Sequence, residues 1–185
     1  MVQRFSFMAA LFILPLTGFV ADAAAPTETS WKLTSDRDYL PTLLGDLKDA
    51  KQAVAVTMYL IQMEDPERHT LIKGLLDELI ACHKRGLKVS VVAELEKAKG
   101  DESPTRSMGA LEYLKKGGVS VYTDDPDTVT HSKVVVIDEA IVHLGSSNWT
   151  YSAFMKNREC NLRIRNPELA RQLLEALSRQ DKKPL

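Results

Sequence analysis

Apolar positions recur along this chain in two rhythms. Leu40, Leu43, Leu44 and Leu47 follow the three-to-four spacing that lines one face of a helix, with Ser35 placed to cap its start. Ala53 to Ile61 is instead an unbroken β-prone run. Runs of this kind form strands buried on both faces, so it predicts a central strand. Helical spacing returns from Thr70 to Arg85, where Leu71, Ile72, Leu75, Leu76, Leu79 and Ile80 share a face. Lys84 and Arg85 suit the negative end of that helix, and Gly86 suits its termination. Lys88 to Val92 follows at once as a strand, and strand, helix, strand with short joints is the βαβ unit of a parallel sheet.

The remaining pattern fills in around this unit. Trp31 to Thr34 reads as a first strand, Met108 to Lys116 as a short helix closed by Gly117 and Gly118, and Val119 to Tyr122 as a strand. Glu94 to Arg106 has no apolar period and reads as a loop; just past a strand's C-terminal end, such loops often line a site. Lys133 to Ile137 and Ile141 to Gly145 form a hairpin about Asp138-Glu139-Ala140. Trp149 to Lys156 is loop or short helix, and Cys160 to Ile164 a strand. Asn166-Pro167-Glu168 opens a last helix that buries Leu169, Leu173 and Leu177. The tail from Gln180, residues 181–185 in particular, is polar and expected to fray. These elements predict one α/β domain over residues 26–180, with a mixed, largely parallel β-sheet flanked by helices on both faces.

Composition changes this picture at the N-terminus. Arg4 precedes an almost wholly apolar run from Phe5 to Val20, and Ala21-Asp22-Ala23-Ala24-Ala25 offers a small-residue cleavage site. Residues 1–25 therefore read as a secretory signal peptide, with retention as an N-terminal membrane anchor the alternative. The expected location is exported, periplasmic or secreted. In an oxidising compartment Cys82 and Cys160 are allowed to pair. However, Cys82 falls near a helix's apolar stripe and Cys160 inside a strand, so two buried free thiols are an equal expectation. With 44% hydrophobic and 26% charged residues the chain is globular. A formal net charge of -1 removes the simplest case for a nucleic-acid binder, although a cleft can still be locally positive.

Candidate chemistry gathers at the hairpin. Residues two apart in a strand share a face, so His131 and Lys133 project together while Ser132 points away. The returning strand ends in Gly145-Ser146-Ser147-Asn148, where glycine permits close backbone approach and Asn148 adds an amide donor. Lys133 and Asn148 suit the single negative charge of a phosphodiester, leaving His131 free to act. Asp138, five residues beyond Lys133, falls on the opposite face by alternation and reads as structural. His131, His143, Asp138 and Glu159 could be imagined as metal ligands, but the lysine beside His131 repels a cation, so no metal is expected. Ser146 lacks the Gly-x-Ser-x-Gly setting of a hydrolase nucleophile and reads as a supporting or phosphate-side hydroxyl. The acidic turn Asp124 to Asp127 would oppose a polyanion if it lay at the cleft mouth.

The motif His131-x-Lys133-x4-Asp138-x6-Gly145-Ser146-x-Asn148 resembles the HKD signature of the phospholipase D superfamily. The element order before it, and Glu159 after it, are similar to the small secreted single-motif members, the bacterial Nuc-type endonucleases. One departure is Glu139-Ala140 in the turn, where relatives often carry glycine. The resemblance implies a metal-independent phosphodiesterase without cofactor. His131 would be the nucleophile that forms a covalent phosphohistidine, Lys133, Asn148 and Ser146 the phosphate side, and Glu159 the carboxylate that orients the imidazole. In-line displacement separates attacking and leaving groups, so one imidazole cannot serve both. His69, His83 and His143 lack a lysine two residues on, which points to a homodimer with one shared active site. Nucleic acid is the expected substrate, helped by Lys97, Lys99, Arg106, Lys156 and Arg158. Phospholipid head groups are the alternative substrate, and an inactive binding module is the reading from a different class.

Overall fold

A computed structural model describes residues 28–63, 70–94, 106–124, 128–180 and 182–185 of the chain. Residues 1–27, with the stretch read as a signal peptide, most of the stretch read as a loop after Glu94 with Lys97 and Lys99, His69, and Asp125 to Asp127 lie outside the described residues. In chain order, β1 (Ser30–Ser35) leads through a 3₁₀ turn (Asp36–Asp38) into α1 (Tyr39–Asp49), and β2 (Ala53–Met58) is followed by α2 (Thr70–Lys84) and β3 (Lys88–Ala93). Then come α3 (Met108–Lys116), β4 (Ser120–Asp124), the hairpin β5 (Lys133–Ile137) and β6 (Ile141–Gly145), and α4 (Tyr151–Met155). The chain closes with β7 (Cys160–Arg165), α5 (Pro167–Ser178) and β8 (Lys182–Pro184).

The strands form one sheet in the order β1-β7-β6-β5-β2-β3-β4-β8, with β2 central as the apolar run predicts. Its mixed character and the helices on both faces agree with the sequence, but the balance of directions does not. Only β2–β3 and β3–β4 are parallel; every other pairing of described strands is antiparallel. The reason is connection length. Parallel neighbours need a crossover helix, which α2 and α3 supply, whereas the tight turn after Ile137 can only reverse the chain.

Both faces are apolar but unequally covered. On one, α1, α2 and α3 bury Leu43, Leu47, Leu75, Leu76, Leu79, Leu111 and Leu114 completely against Val56, Met58, Val91 and Val135. Full burial of each such leucine contributes about 1.5–3 kcal/mol. On the other, α5 alone packs Ala170 on Val136 of β5 and Val142 of β6. Here Leu169, Leu173 and Leu177 are half-buried rather than enclosed. Asn166 caps α5 by accepting from Leu169 N at 2.9 Å, with Pro167 in the first turn.

Three local expectations change. Ser35 makes no side-chain cap; the 3₁₀ turn intervenes, with Asp36 at φ +49 aiming its carboxylate at Glu159 N, 2.7 Å away. The tail does not fray: β8 pairs with β4, and Leu185 N donates to Val121 O at 3.1 Å. Without it, the backbone edge of β4 would stand unpaired. Finally, Cys160 is exposed and Cys82 buried, and they remain free thiols.

Candidate active site

Sheet order brings the end of β2 beside the start of β5. Met58 pairs with Lys133, and Tyr59 N donates to Ser132 O at 2.8 Å. The C-terminal ends of the parallel strands thus meet the segment that enters β5, which is where α/β sheets bind ligands. The His131 ring is exposed there, while Lys133 is only 9% exposed. Lys133 Nζ donates to His131 O at 2.8 Å and lies 3.2 and 3.3 Å from Nδ1 and Nε2 of the same residue. Burial pushes the Lys133 ammonium below its ordinary pKa, and the charge of Glu159 draws it partly back.

Asn148 is held by its neighbours. Trp149, fully buried, bonds Leu60 O through its N–H and Gln62 N through its carbonyl, each at 2.9 Å, and donates from Nε1 to Tyr39 at 3.3 Å. Ser147, also buried, donates its N–H to Asn161 Oδ1 at 3.2 Å, while Asn161 Nδ2 donates to the Ser147 hydroxyl at 2.8 Å. Between these anchors, Asn148 Oδ1 is buried without a hydrogen-bond partner among the described residues. The open atom is an acceptor, so a phosphate oxygen would be met by the Nδ2–H donors of the same amide.

Glu159 is fixed from several sides. Ser146 Oγ donates to Glu159 Oε2 and accepts from Cys160 N at 3.1 Å; Asn157 Nδ2 donates to Oε1 at 2.9 Å. None of the hydrogen bonds among the described residues joins Glu159 to His131, since β6 lies between β5 and β7. The orienting role implied by the resemblance is thus not made by a direct bond within the chain. What Glu159 supplies here is negative charge that favours the Lys133 ammonium. Ser146, expected on the phosphate side, has its hydroxyl committed to that carboxylate.

The other motif residues serve the scaffold. A Cβ at Gly145 would sit 2.3 Å from Asn161 Oδ1 and 2.4 Å from Cys160 O, so the close approach is to β7 and not to a ligand. Asp138 stands at the far end of the hairpin and accepts from the backbone N–H groups of Lys51, Gln52 and Ala53 at 2.8, 2.7 and 3.0 Å. Asp138 and Glu139 take φ of +53 and +50, and Ala140 N bonds Ile137 O at 3.0 Å. This is the left-handed two-residue turn that suits a hairpin. His143 is wholly buried on β6, with Nε2 2.7 Å from Asp46, which also takes Arg163 Nε and Nη2 at 2.6 and 2.7 Å. Among the described residues no His, Cys, Asp and Glu side chains converge in a group that could hold a metal ion.

Three site residues escape a reading of the motif alone. The Tyr59 ring lies 4.5 Å from the imidazole and 4.8 Å from the Lys133 ammonium, a cation–π contact. Glu94 and Asp124 are buried at the ends of β3 and β4, and both accept from Thr130 N, fixing the residue before His131. A carboxylate closing a buried apolar strand at its C-terminal end is the signal that could have found them. Of the cations proposed for substrate affinity, Arg158 is 94% exposed and pairs with Asp36 at 3.1 Å, Lys156 lies over Tyr151, and Arg106 donates to Gln62.

Fold and site together define the class, a mixed α/β sheet that carries one His-x-Lys motif at the end of its central strands. The profile of the family described as "Cardiolipin synthase, PLD-like domain" matches residues 43–180, well over half of the chain. The chain belongs to the phospholipase D superfamily. It is similar to the mitochondrial cardiolipin hydrolase of Homo sapiens, 31% identical over 97 residues, covering 52% of this chain and 36% of that protein. It is also similar to the phospholipase D of Rickettsia typhi, 29% identical over 121 residues, covering 62% and 56%. The match thus spans about a third to a half of these relatives' length. Among solved structures, the phospholipase D family member Nuc from Salmonella typhimurium superimposes with a TM-score of 0.70 at 25% identity, covering 85% of this chain and 99% of that one. NucT from Helicobacter pylori superimposes with a TM-score of 0.62 at 22% identity, covering 80% and 93%.

Proposed function

We propose that the protein is an exported, metal-independent endonuclease that cuts nucleic acid through a covalent phosphohistidine on His131. The observation that carries this reading is the match to Nuc over 99% of that chain's length, a whole-protein correspondence that the longer lipid-named relatives do not offer. In the proposed reaction, Lys133 and the Asn148 amide bind the non-bridging oxygens. An imidazole nitrogen of His131 attacks phosphorus as the bond to the leaving oxygen breaks. The Lys133 ammonium, now 3.2 Å from the ring, is drawn to the phosphate and frees the nitrogen lone pair.

The leaving oxygen needs a proton from the far side of phosphorus. His143 is buried and committed to Asp46, and His83 sits on α2 against Gly118. Neither of these described histidines can serve, and the donor is assigned to His131 of a second copy across a two-fold axis. That imidazole then takes a proton from water, the hydroxide attacks the phosphohistidine, and both histidines return to their starting states. The apolar leader from Phe5 to Val20 supports export.

A second reading, hydrolysis of phospholipid head groups by the same residues, is favoured by the names of the family profile and of the sequence relatives. One experiment separates the two. The mature protein is incubated in EDTA with plasmid DNA, RNA, cardiolipin vesicles and phosphatidylcholine vesicles, while its mass in solution is followed by light scattering. Nucleic-acid cleavage by a dimer is expected. Lipid hydrolysis with intact nucleic acid overturns the nuclease reading, and an active monomer overturns the shared site.

A further inference from the structure

The hairpin and α5 run together from the turn to the site. Asn166 N donates to Ala140 O at 2.9 Å, starting α5 beside the turn, and Ala170 packs on Val136 and Val142 midway. Twelve helical residues rise about 18 Å, comparable to the length of the hairpin strands. The helix therefore delivers its C-cap residue, Arg179, to the end of the sheet where His131 stands. There a cleft of about 270 Å³ is walled by Thr128, Val129, Thr130, His131 and Ser132 on one side and by Arg179 and Gln180 on the other.

Arg179 is poorly committed in this position. Among the described residues it pairs with Glu175 on its own helix, through Nη2 at 2.5 Å, and the two side chains are 74% and 56% exposed. A pair so exposed holds its partner weakly, whereas a guanidinium and a phosphate form paired, charge-assisted hydrogen bonds. The cleft runs from His131 past Ser132 to Arg179, which approaches from the face of Val136 and Val142, so a strand held at His131 and crossing this end of the sheet would meet the guanidinium on the side away from Lys133. With a net charge of -1, affinity for a polyanion must come from such local cations.

We infer that Arg179, at the end of the cleft, is a subsite for a second phosphate of the substrate: the phosphate next to the scissile one on a nucleic-acid strand. Successive phosphates of a strand are joined through one sugar, so the phosphate next to the scissile one arrives within the reach of one side chain. The inference rests on the nuclease reading and adds a residue that tells a strand from an isolated phosphodiester.

The test compares the full mature protein with Arg179→Gln, Arg179→Glu and, as control on the same helix, Arg171→Gln. The substrates are a single-stranded oligonucleotide, bis(p-nitrophenyl) phosphate, which has one phosphodiester and no second charge, and cardiolipin vesicles. For Arg179→Gln the ratio of kcat/KM on oligonucleotide to that on bis(p-nitrophenyl) phosphate falls about tenfold. Arg179→Glu falls further, KM carries the change, and Arg171→Gln leaves the ratio in place. The slope of log KM against log salt flattens by about 0.7, the loss of one phosphate contact on a single strand. An unmoved ratio, or a loss confined to cardiolipin, overturns the subsite while leaving the nuclease reading intact. A wild-type protein that hydrolyses bis(p-nitrophenyl) phosphate but not the oligonucleotide sinks the nuclease reading and the subsite with it.

Discussion

The β5–β6 hairpin carries a carboxylate at its turn and a histidine at its open end, and the two ends treat polar groups oppositely. At the turn, Asp138 accepts three backbone N–H bonds of 2.7 to 3.0 Å. Burial alone would raise its pKa; the amides of Ala53, Lys51 and Gln52 outweigh that and hold it below the usual carboxylate range. At the open end, burial lowers Lys133 instead, and Asn148 Oδ1 has no partner among the described residues. A satisfied polar network fixes structure, whereas the open end leaves an acceptor without a partner. One motif thus contains both a clamp for the fold and a site for chemistry.

The comparison breaks first at His131. His131→Ala is expected to lower turnover by ~10⁴-fold or more, as for other removed nucleophiles, while the unfolding free energy in urea stays within about 0.5 kcal/mol of wild type because the ring is exposed. Retained activity, or an unfolding defect as large as that of an Asp138 variant, would erase the distinction between the ends. Lys133→Met sharpens it further. Loss of a preorganised charge should cost ~10²–10³ in kcat. Yet stability should hold or rise, since a buried apolar chain avoids the desolvation an ammonium suffers. Asp138→Ala is the converse: about 3 kcal/mol lost in urea unfolding, from three amides deprived of a charged acceptor, with the folded fraction still turning over. A catalytic defect in protein shown to be folded would place Asp138 in the chemistry after all.

How much of this was legible in the sequence follows the range of each interaction. The hairpin bounds, α3 and the central place of β2 were readable because periodicity is local and a two-residue turn fixes register. Asp138 could be assigned away from His131 by alternation alone, yet its partners, 85 to 87 residues earlier, could not. The same applies to Glu159. Its position after the motif was visible, but its bond to Ser146 and its separation from His131 by β6 depend on strand order, which periodicity does not encode. Tyr59 was hidden inside an apolar run, and the tail's pairing with β4 depends on an edge that only the assembled sheet exposes.

The middle of the hairpin offers the smallest and most quantitative test. His143 lies between the two ends, wholly buried, and shares a feature with each: Nε2 meets Asp46 at 2.7 Å, while Nδ1 has no hydrogen-bond partner among the described residues. Burial would raise the Asp46 carboxyl, but hydrogen bonds from His143 and Arg163, and their charges, bring it down to about 2. A carboxyl depressed in the folded state favours folding above its unfolded pKa near 3.8 and loses that contribution as pH falls toward 2. The shift corresponds to roughly 2 kcal/mol. Asp46→Asn is therefore expected to be less stable than wild type by roughly this amount at pH 6, with the two unfolding curves converging between pH 4 and pH 2. If the difference stays constant across that window, the Asp46 charge does not stabilise the fold, and the middle of the hairpin would owe its order to apolar packing alone.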